Sequence, residues 1–292
     1  MKRSSHKVNR VGLIGHPGKI ACSNYVAQAA RLIRAAGRKV LADTATAQSA
    51  KINVPTFTDP AALANEVDLL LVFGGDGTML GLAREIAGTR TPMLGVNIGG
   101  LGFLTAVSSA DLATALKHIW KGEFNFESRA LIEATAKLKG RLYQQTALND
   151  IVVGRGPVTR LIDLDVEVDG EPLTRYRCDG LIVSSPTGST AYSLAAGGAL
   201  VFPTADVFAL TPISPHTLTN RSLILPLTST IRIKANSPST ILSADGQVVE
   251  KLGAGDIVTV RRSRRAVRLM HLAGSSYFEA LRRKLQWRGA YL

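Results

Sequence analysis

Three glycines and one carboxylate lie within the five residues Gly74-Gly75-Asp76-Gly77-Thr78. Closely spaced glycines let the backbone turn sharply and bring its N–H groups against a bulky anion such as a phosphate. An acidic side chain amid such amides cannot itself bind phosphate, so it must accept a proton or a hydroxyl hydrogen bond, or bind a metal ion. The motif predicts a phosphate-binding turn that carries a carboxylate in one of these three roles. The simpler alternative is a tight strand-to-helix turn in which Asp76 caps the helix.

The five-residue motif lies between an apolar stretch, residues 67–73, and a helix-forming stretch, residues 78–87. A strand that leads into a helix in this way brings a bound anion to the positive end of the helix dipole. In an open α/β sheet, ligands bind in the crevice beyond the strand ends. The flanking sequence therefore favours the phosphate-binding interpretation over a plain turn.

Apolar stretches alternate with helix-forming stretches throughout the first hundred residues. The other predicted strands are 11–15, 38–42 and 92–97; the other predicted helices are 23–36, capped by Ser23 and stopped by Gly37, 60–64, opened by Asp59, and 109–120. Strands that are apolar on both faces and alternate with helices form a parallel sheet covered by helices. We therefore predict an α/β domain with a Rossmann-like parallel sheet over residues 1–124.

Short alternating segments separated by Gly, Pro, Asn and Asp replace this pattern after about residue 125. The predicted strands are 130–139, 141–153, 161–168, 180–184, 213–215, 223–226, 230–234, 240–243 and 257–261. Hairpin turns are predicted at Asp169-Gly170 and Asp245-Gly246. This spacing is typical of an antiparallel β-sandwich, which we place at residues 125–272. Phe278, Leu281 and Leu285, at helical spacing, predict a helix in the tail, residues 273–292, that packs back on the first domain.

The chain carries 35 Lys and Arg against 22 Asp and Glu, a net charge of +13. Such an excess suits a polyanionic partner: nucleic acid, a membrane surface or small phosphorylated molecules. Aromatic residues make up only 5% of the chain and do not interleave with a basic stretch, so nucleic acid is not expected. The basic run, residues 261–268, lies between two strand-like segments and is predicted to be an exposed hairpin turn.

The lack of membrane-spanning and signal-peptide segments and the small number of cysteines indicate where the protein is located. No apolar stretch approaches the roughly 20 residues that span a membrane, and no signal-peptide core follows the charged N-terminus. The two cysteines, Cys22 and Cys178, show no pairing signature. These features predict a cytoplasmic protein without a membrane partner.

The five-residue motif resembles the phosphate-binding motif of NAD kinases, and diacylglycerol, sphingosine and 6-phosphofructo kinases carry variants of it. Further segments resemble the NAD kinases in particular: 95–104, Asn149-Asp150, 178–193 continuing to Gly197-Gly198, 215–218 and 245–247. The resemblance covers roughly residues 8 to 287 in the family's order. It departs at Asp150, where many bacterial members have Glu, and is weakest at Gly15-His16-Pro17.

This resemblance implies phosphoryl transfer from ATP to the 2′-hydroxyl of the adenosine ribose of NAD, giving NADP, in a site between the two domains. Asp76 would be the general base, and Mg²⁺ would arrive with ATP rather than on protein ligands. The implied ATP-phosphate contacts are Gly74, Gly75, Gly77 and Thr78. The implied NAD contacts are Asp76, Gly77, Asn149, Asp150, Arg160, Arg177, Asp179, Thr190, Ala191, Tyr192, Ser193, Leu194, Ala195 and Gln247. Similar proteins are dimers or tetramers, which implies a homo-oligomer.

The residue types fit this chemistry. A ribose hydroxyl is a weak nucleophile, and a nearby carboxylate can take its proton as it attacks phosphorus. Asn149 and Asp150 can form hydrogen bonds with ribose hydroxyls or the adenine edge; the simpler alternative is an Asn-Asp loop that opens the following strand. Arg160 and Arg177 are preferred to the basic run as anion contacts, and His216 is interpreted as structural.

Two other functions use the same residues. A lipid kinase of the diacylglycerol or sphingosine type would keep the fold and use the basic run as a membrane-facing patch. A non-catalytic dinucleotide sensor or nucleic-acid-binding module would bind without turnover. The Asn149-Asp150 pair argues against the first, and an intact Asp76 within its glycines argues against the second.

Overall fold

The computed structural model describes residues 7–16, 18, 20–100, 102–157, 160–217 and 219–287. Pro17, Leu101 and Leu218, which belong to segments quoted for the resemblance, lie outside the described residues, as do residues 1–6 and 288–292. The chain divides into two compact units, Met1–Ser128 with Val267–Leu292, and Arg129–Ala266. The observed boundaries follow Ser128 and Ala266. The predicted boundaries follow residues 124 and 272, so the first is four residues earlier and the second six residues later.

The first unit begins with alternating strands and helices. They are β1 (Arg10–Gly15), α1 (Ile20–Ala35), β2 (Lys39–Asp43), α2 (Thr44–Ser49), β3 (Thr56–Phe57), α3 (Pro60–Glu66), β4 (Leu69–Gly74), α4 (Asp76–Glu85), β5 (Pro92–Asn97), β6 (Val107–Ser108) and α5 (Leu112–Trp120). The six strands are parallel in the order β6-β5-β4-β1-β2-β3. The predicted α/β domain with a parallel sheet is confirmed.

Strand β4 is central in this sheet, and all six of its residues are buried. Leu69, Leu71 and Phe73 face a core that α1 and α5 cover. On the opposite face Leu63 of α3 packs over Gly12, where an added Cβ would lie 2.6 Å from Leu70 Cδ2. Burial on both faces fixes β4 firmly, and its carboxyl end carries the glycine motif.

The second unit consists almost entirely of strands. They are β7 (Phe124–Leu138), β8 (Arg141–Ala147), β9 (Asp150–Arg155), β10 (Ile162–Val168), β11 (Glu171–Cys178), β12 (Gly180–Ser184), β13 (Val207–Ile213), β14 (Leu223–Pro226), β15 (Ile231–Ala235), β16 (Thr240–Ala244), β17 (Val248–Leu252) and β18 (Ile257–Leu272), with the short helix α6 (Tyr192–Ala195). Strands β7 and β18 begin or end in the first unit, where Arg268 and Leu269 pair with β5.

Two antiparallel sheets form this unit. One has the order β14-β13-β12-β9-β16-β17; the other contains β11-β10-β15-β18, with β7 pairing with β18 and β8. Alternate residues of both sheets meet in one core, such as Ile151 and Val183 from the first and Leu164 and Ile233 from the second. The predicted β-sandwich is confirmed. So are its two hairpin turns, where Asp169-Gly170 and Asp245-Gly246 take positive φ.

The C-terminal helix α7 (Tyr277–Leu285) belongs to the first unit, as predicted. Leu281 is buried, and the Lys284 ammonium lies 5.7 Å from the centre of the Phe103 ring. Within the part of the chain that the structure describes, no helix is long and apolar enough to cross a membrane.

The prediction that the basic run is a hairpin turn is wrong, because residues 261–268 lie inside the continuous strand β18. The arginines of 261–265 point to solvent, while Ser263 and Val267 are buried. The run contains no Gly, Pro, Asn or Asp to form a turn, and this signal could have identified the strand.

Other predicted bounds also need correction. Helix α1 begins at Ile20, so Ser23 lies inside it and does not cap it. The segment 141–153 forms two strands that break at Leu148-Asn149, and the strand predicted at 213–215 ends at Ile213. Short α2, β3 and β6, and the longer β11 and β17, were not predicted. Strand β11 is exposed along most of its length, so its apolar pattern is weak.

Candidate functional site

The glycine motif forms the turn between β4 and α4. Gly75 is the N-cap of α4, and the ten-residue helix starts at Asp76. A Cβ on Gly74 would lie 2.3 Å from Thr78 Oγ1, so only glycine lets the first helical turn close over the strand end. The positive end of the helix dipole therefore stands at the carboxyl end of β4, where an anion can bind.

Asp76 does not cap its own helix. Its Oδ2 accepts the backbone N–H of Phe103 at 2.8 Å, and its Oδ1 accepts that of Leu104 at 3.1 Å. The alternative interpretation of Asp76 as a helix cap is therefore wrong. A carboxylate has about four lone-pair positions, so the half-buried group keeps acceptor capacity for a hydroxyl or a proton.

A cavity of about 680 Å³ lies within the second unit, in the size range of small-molecule sites. Five of the residues predicted from the sequence line it: Asn149, Asp150, Asp179, Ala191 and Tyr192. It is also lined by residues that the sequence did not suggest as contacts, among them Val152, Gly154, Arg155, Gly156, Ile241, Ser243 and Asp245.

Strand alternation explains most of this lining. In β9, Asp150, Val152 and Gly154 face the cavity, whereas Ile151 and Val153 lie in the core. Neighbouring β16 repeats the pattern with its odd-numbered residues facing the cavity. Because side chains alternate along a strand, the position of Asp150 alone could have identified Val152 and Gly154.

Asp245 holds the Asn149-Asp150 segment in place. It sits in the β16–β17 turn with φ of 51°, and its carboxylate accepts the N–H groups of Leu148 at 3.1 Å, Asn149 at 2.8 Å and Asp150 at 3.3 Å. The sequence analysis placed Asp245 in a hairpin turn and in a segment of the family resemblance, but did not predict it as a contact. The Asp-Gly pair, which predicted the turn, was the sequence feature that could have drawn attention to Asp245.

The backbone of Asn149 is also held from the other side. Its carbonyl accepts the Ser185 N–H at 2.8 Å and the Ser184 hydroxyl at 3.3 Å. A Cβ on Gly188 would lie 2.1 Å from the same oxygen, so that position must be glycine. The backbone of Asn149 is therefore fixed at the cavity wall. Its side chain is half-buried and takes no part in these backbone hydrogen bonds.

Asp179 pairs with Arg155 inside the cavity wall, with 2.7 Å between Arg155 Nε and Asp179 Oδ1. Both side chains are about one-third exposed, so each can still meet a ligand. Sequence reasoning found Asp179 but missed Arg155, because their proximity depends on the pairing of β9 with β12.

The other predicted contacts are placed outside the cavity lining. Ser193 is buried, with 3.0 Å between its hydroxyl oxygen and that of Thr211, and the Thr190 hydroxyl donates to the Thr187 carbonyl. Leu194 and Ala195 complete α6. Arg160, Arg177 and Gln247 are exposed. Among the described residues, no cluster of three or more His, Cys, Asp or Glu side chains could hold a metal ion.

Two family models match the chain. The model of the ATP-NAD kinase N-terminal domain matches residues 11–124, and that of the ATP-NAD kinase C-terminal domain matches residues 148–272. The chain belongs to the NAD kinase family. Both the glycine motif and the cavity lie within the matched regions.

Curated relatives agree with this membership. An NAD kinase of Acinetobacter baylyi is 38% identical over 287 residues, which cover 97% of this chain and 94% of the relative. One from Polaromonas sp. is 39% identical over 280 residues, 95% and 96% of the two chains. One from Syntrophotalea carbinolica is 44% identical over 232 residues, 78% and 81% of the two.

Solved structures show the same fold. Yeast NADH kinase complexed with NADH superposes with a TM-score of 0.89 at 27% identity, covering 99% of this chain and 90% of the yeast chain. An NAD kinase from Archaeoglobus fulgidus in complex with ATP gives a TM-score of 0.74 at 24% identity, with 96% and 100% covered.

Asp150, at which the sequence departs from the family resemblance, has an unusual environment. Its side chain is buried, and burial together with the neighbouring charge of Asp245 raises the pKa of Asp150 from 3.8 to about 7. Near neutral pH the carboxyl group is therefore protonated in much of the population, and it can donate as well as accept a hydrogen bond.

This raised pKa predicts a pH dependence of stability. The folded state keeps the proton longer than the unfolded state, so the free energy of unfolding falls as pH rises from about 4 to about 7. At about 1.4 kcal/mol per pKa unit, the loss is on the order of 4 kcal/mol. Asp150→Asn removes the titrating group, so we expect urea unfolding of this variant to depend less on pH.

The control is Asp206→Asn, since the Asp206 side chain is 76% exposed. We expect its pH dependence to match that of the parent protein. Parallel curves for the parent and Asp150→Asn would contradict the assignment.

Proposed function

We propose that this chain transfers the γ-phosphate of ATP to the 2′-hydroxyl of the adenosine ribose of NAD, which gives NADP. Membership of the NAD kinase family supports this activity. The observation that carries the proposal is Asp76, whose carboxylate stands at the start of α4 beside three glycines and is not used as a cap. A phosphate site and a proton acceptor are the two components that the reaction requires.

In the first unit, the turn 74–78 binds the phosphates of ATP through backbone amides and the α4 dipole. As the family resemblance implies, Mg²⁺ would arrive with the triphosphate, and it would neutralise charge that develops on the phosphate oxygens. Asp76 takes the proton from the ribose hydroxyl as that oxygen bonds to the γ-phosphorus. The bond to the β–γ bridging oxygen breaks, and ADP leaves.

In the second unit, the cavity holds the dinucleotide. Asn149 can donate to and accept from the adenosine, and the Asp150 carboxyl can do the same near neutral pH. Arg155 supplies positive charge for the dinucleotide phosphates, and exposed Tyr192 offers a ring face. The fold similarity to yeast NADH kinase supports a dinucleotide ligand.

Assembly and location form the rest of the proposal. The homo-oligomer expected from the resemblance stays a prediction, as does a site shared by both domains. Cys22 and Cys178 are both buried, free thiols, which fits the proposed reducing cytoplasm.

Asp76→Asn tests the general base. The amide keeps the size of the side chain but cannot accept the proton, so we expect kcat for NADP formation to fall by about 10²–10⁴ while NAD still binds. Asp111→Asn, at an exposed helix start, is the control and should behave as the parent. NADP formation within a few-fold of the parent would exclude Asp76 as the base.

Asn149→Ala tests the adenosine contact. One hydrogen bond to a neutral partner contributes about 0.5–1.5 kcal/mol, so we expect KM for NAD to rise about two- to tenfold. Asn125→Ala, an exposed asparagine of β7, is the control. An unchanged KM for NAD with a raised KM for ATP would assign Asn149 to the donor site.

Arg155→Ala tests the anion contact of the cavity. It removes a positive charge and leaves Asp179 unpaired, so KM for NAD should rise at least several-fold, given that charge-assisted bonds contribute about 1.5–3 kcal/mol. Arg177→Ala, at the position predicted from the sequence, should also raise this KM. Arg175→Ala is a matched control, since Arg175 is exposed two residues away in β11 and pairs with Asp165.

Neutralising the four arginines of 261–265 together should leave NADP formation nearly unchanged, because they are exposed on β18 and line no part of the cavity. If this quadruple change abolished activity while Arg155→Ala and Arg177→Ala had no effect, the anion site would lie elsewhere.

A further inference from the structure

The two hydrogen bonds on Asp76 come from a segment distant in the sequence. After β5 the chain runs through residues 98–106 and returns to Val107, and the amides of Phe103 and Leu104 point at the carboxylate. Each amide bonds a different oxygen, so together they fix both the position and the plane of the carboxylate. A single bond would leave it free to rotate.

Gly102 stands directly against the same group. An ideal Cβ on Gly102 would lie 1.9 Å from Asp76 Oδ1, 2.7 Å from Asp76 Cγ and 2.5 Å from Thr105 Oγ1. These separations are far below van der Waals contact. Glycine is required here because the Asp76 carboxylate and the Thr105 hydroxyl fill the space that a Cβ would take.

The segment itself is anchored to the sheet. The Asn97 side-chain amide donates to the Gly100 carbonyl at 2.6 Å, and β6 pairs with β5. A Cβ on Gly95 would lie 2.9 Å from Thr105 Cα, which shows how closely the returning chain packs on β5. When a side chain at position 102 needs room, the Asp76 carboxylate is the flexible group that gives way.

We propose that Gly102 and the amides of Phe103 and Leu104 form a positioning device that orients the Asp76 carboxylate toward the hydroxyl it deprotonates. This inference rests on the proposed function, in which Asp76 is the general base. Proton acceptance depends on a heavy-atom separation of about 2.6–3.2 Å. A displacement of about 1 Å can lower the rate by roughly 10²-fold.

The test compares two identical substitutions in one segment. Gly102→Ala places a methyl group against Asp76, whereas Gly100→Ala places it where nothing lies within 4 Å. We expect Gly102→Ala to lower kcat for NADP formation by about 10²-fold, with KM for NAD and ATP nearly unchanged. Gly100→Ala should keep the parental kcat.

A double-mutant cycle separates positioning from a general structural role. In the Asp76→Asn background there is no base to orient, so adding Gly102→Ala should change kcat less than about twofold. An equal loss of kcat in both backgrounds would overturn the inference. The inference would also be overturned if Gly102→Ala kept the parental kcat while Asp76→Asn was inactive. That outcome would still support Asp76 as the general base. Parental activity in Asp76→Asn would overturn both proposals.

If Gly102→Ala is too unstable for kinetic assays, the melting temperature Tm provides a second test. Replacing Asp76 by Ala removes the two contacts of 1.9 Å and 2.7 Å, so Asp76→Ala/Gly102→Ala should have a higher Tm than Gly102→Ala alone. If the second substitution fails to raise the Tm, Gly102 does not press on Asp76 and the inference is wrong.

Discussion

Carboxylates that accept backbone N–H groups hold the key segments of both units. In the first unit, Asp76 takes the amides of Phe103 and Leu104, and in the second unit, Asp245 takes those of Leu148, Asn149 and Asp150. Hydrogen bonds to an ionised group are stronger than neutral ones, and a buried amide without a partner is costly. The irregular chain at each candidate site is therefore fixed by one aspartate.

The arrangement in the second unit has an electrostatic consequence. Asp245 must lie close to the segment whose amides it accepts, and this brings its charge next to the buried carboxyl of Asp150. Burial and this neighbouring charge both disfavour ionisation of Asp150. The contact that shapes the cavity wall thus also sets the protonation state of one of its lining groups. A group that both donates and accepts near neutral pH suits a base edge or a ribose hydroxyl better than a fixed charge does.

Features set by local pattern could be predicted from the sequence. Strand β5 has the predicted bounds, 92–97, because an apolar run between a proline and an asparagine leaves little freedom. Asp59 opens α3 as predicted, with its side chain accepting the amides of Ala61 and Ala62. Charge alone could not show whether the basic run forms a turn or a strand, because exposed arginines on the solvent face of a strand destabilise the fold little.

Features set by tertiary pairing could not be predicted in this way. Arg155 meets Asp179 across strands, and Phe103 meets Asp76 from 27 positions away. The family resemblance implied roles for Asp76 and Asp179, but neither composition nor periodicity indicates which backbone amide or cation each would face. Five of the residues suggested for the dinucleotide line the cavity, from Asn149 to Tyr192, whereas the Ser193 hydroxyl lies 3.0 Å from that of Thr211 and outside the lining.

The glycines of the shared motifs serve two different physical purposes. Gly170 and Gly246 take positive φ in hairpin turns, and a residue that tolerates that conformation, such as Asn, could replace them. At Gly102 and Gly188 the constraint is space, because a Cβ would collide with Asp76 in one case and with the Asn149 carbonyl in the other. No change of backbone conformation relieves such a collision without moving the residue it strikes. Substitution at these two positions therefore acts directly on the Asp76 carboxylate and on the backbone of Asn149, and this distinguishes them from the turn glycines, where substitution acts on folding.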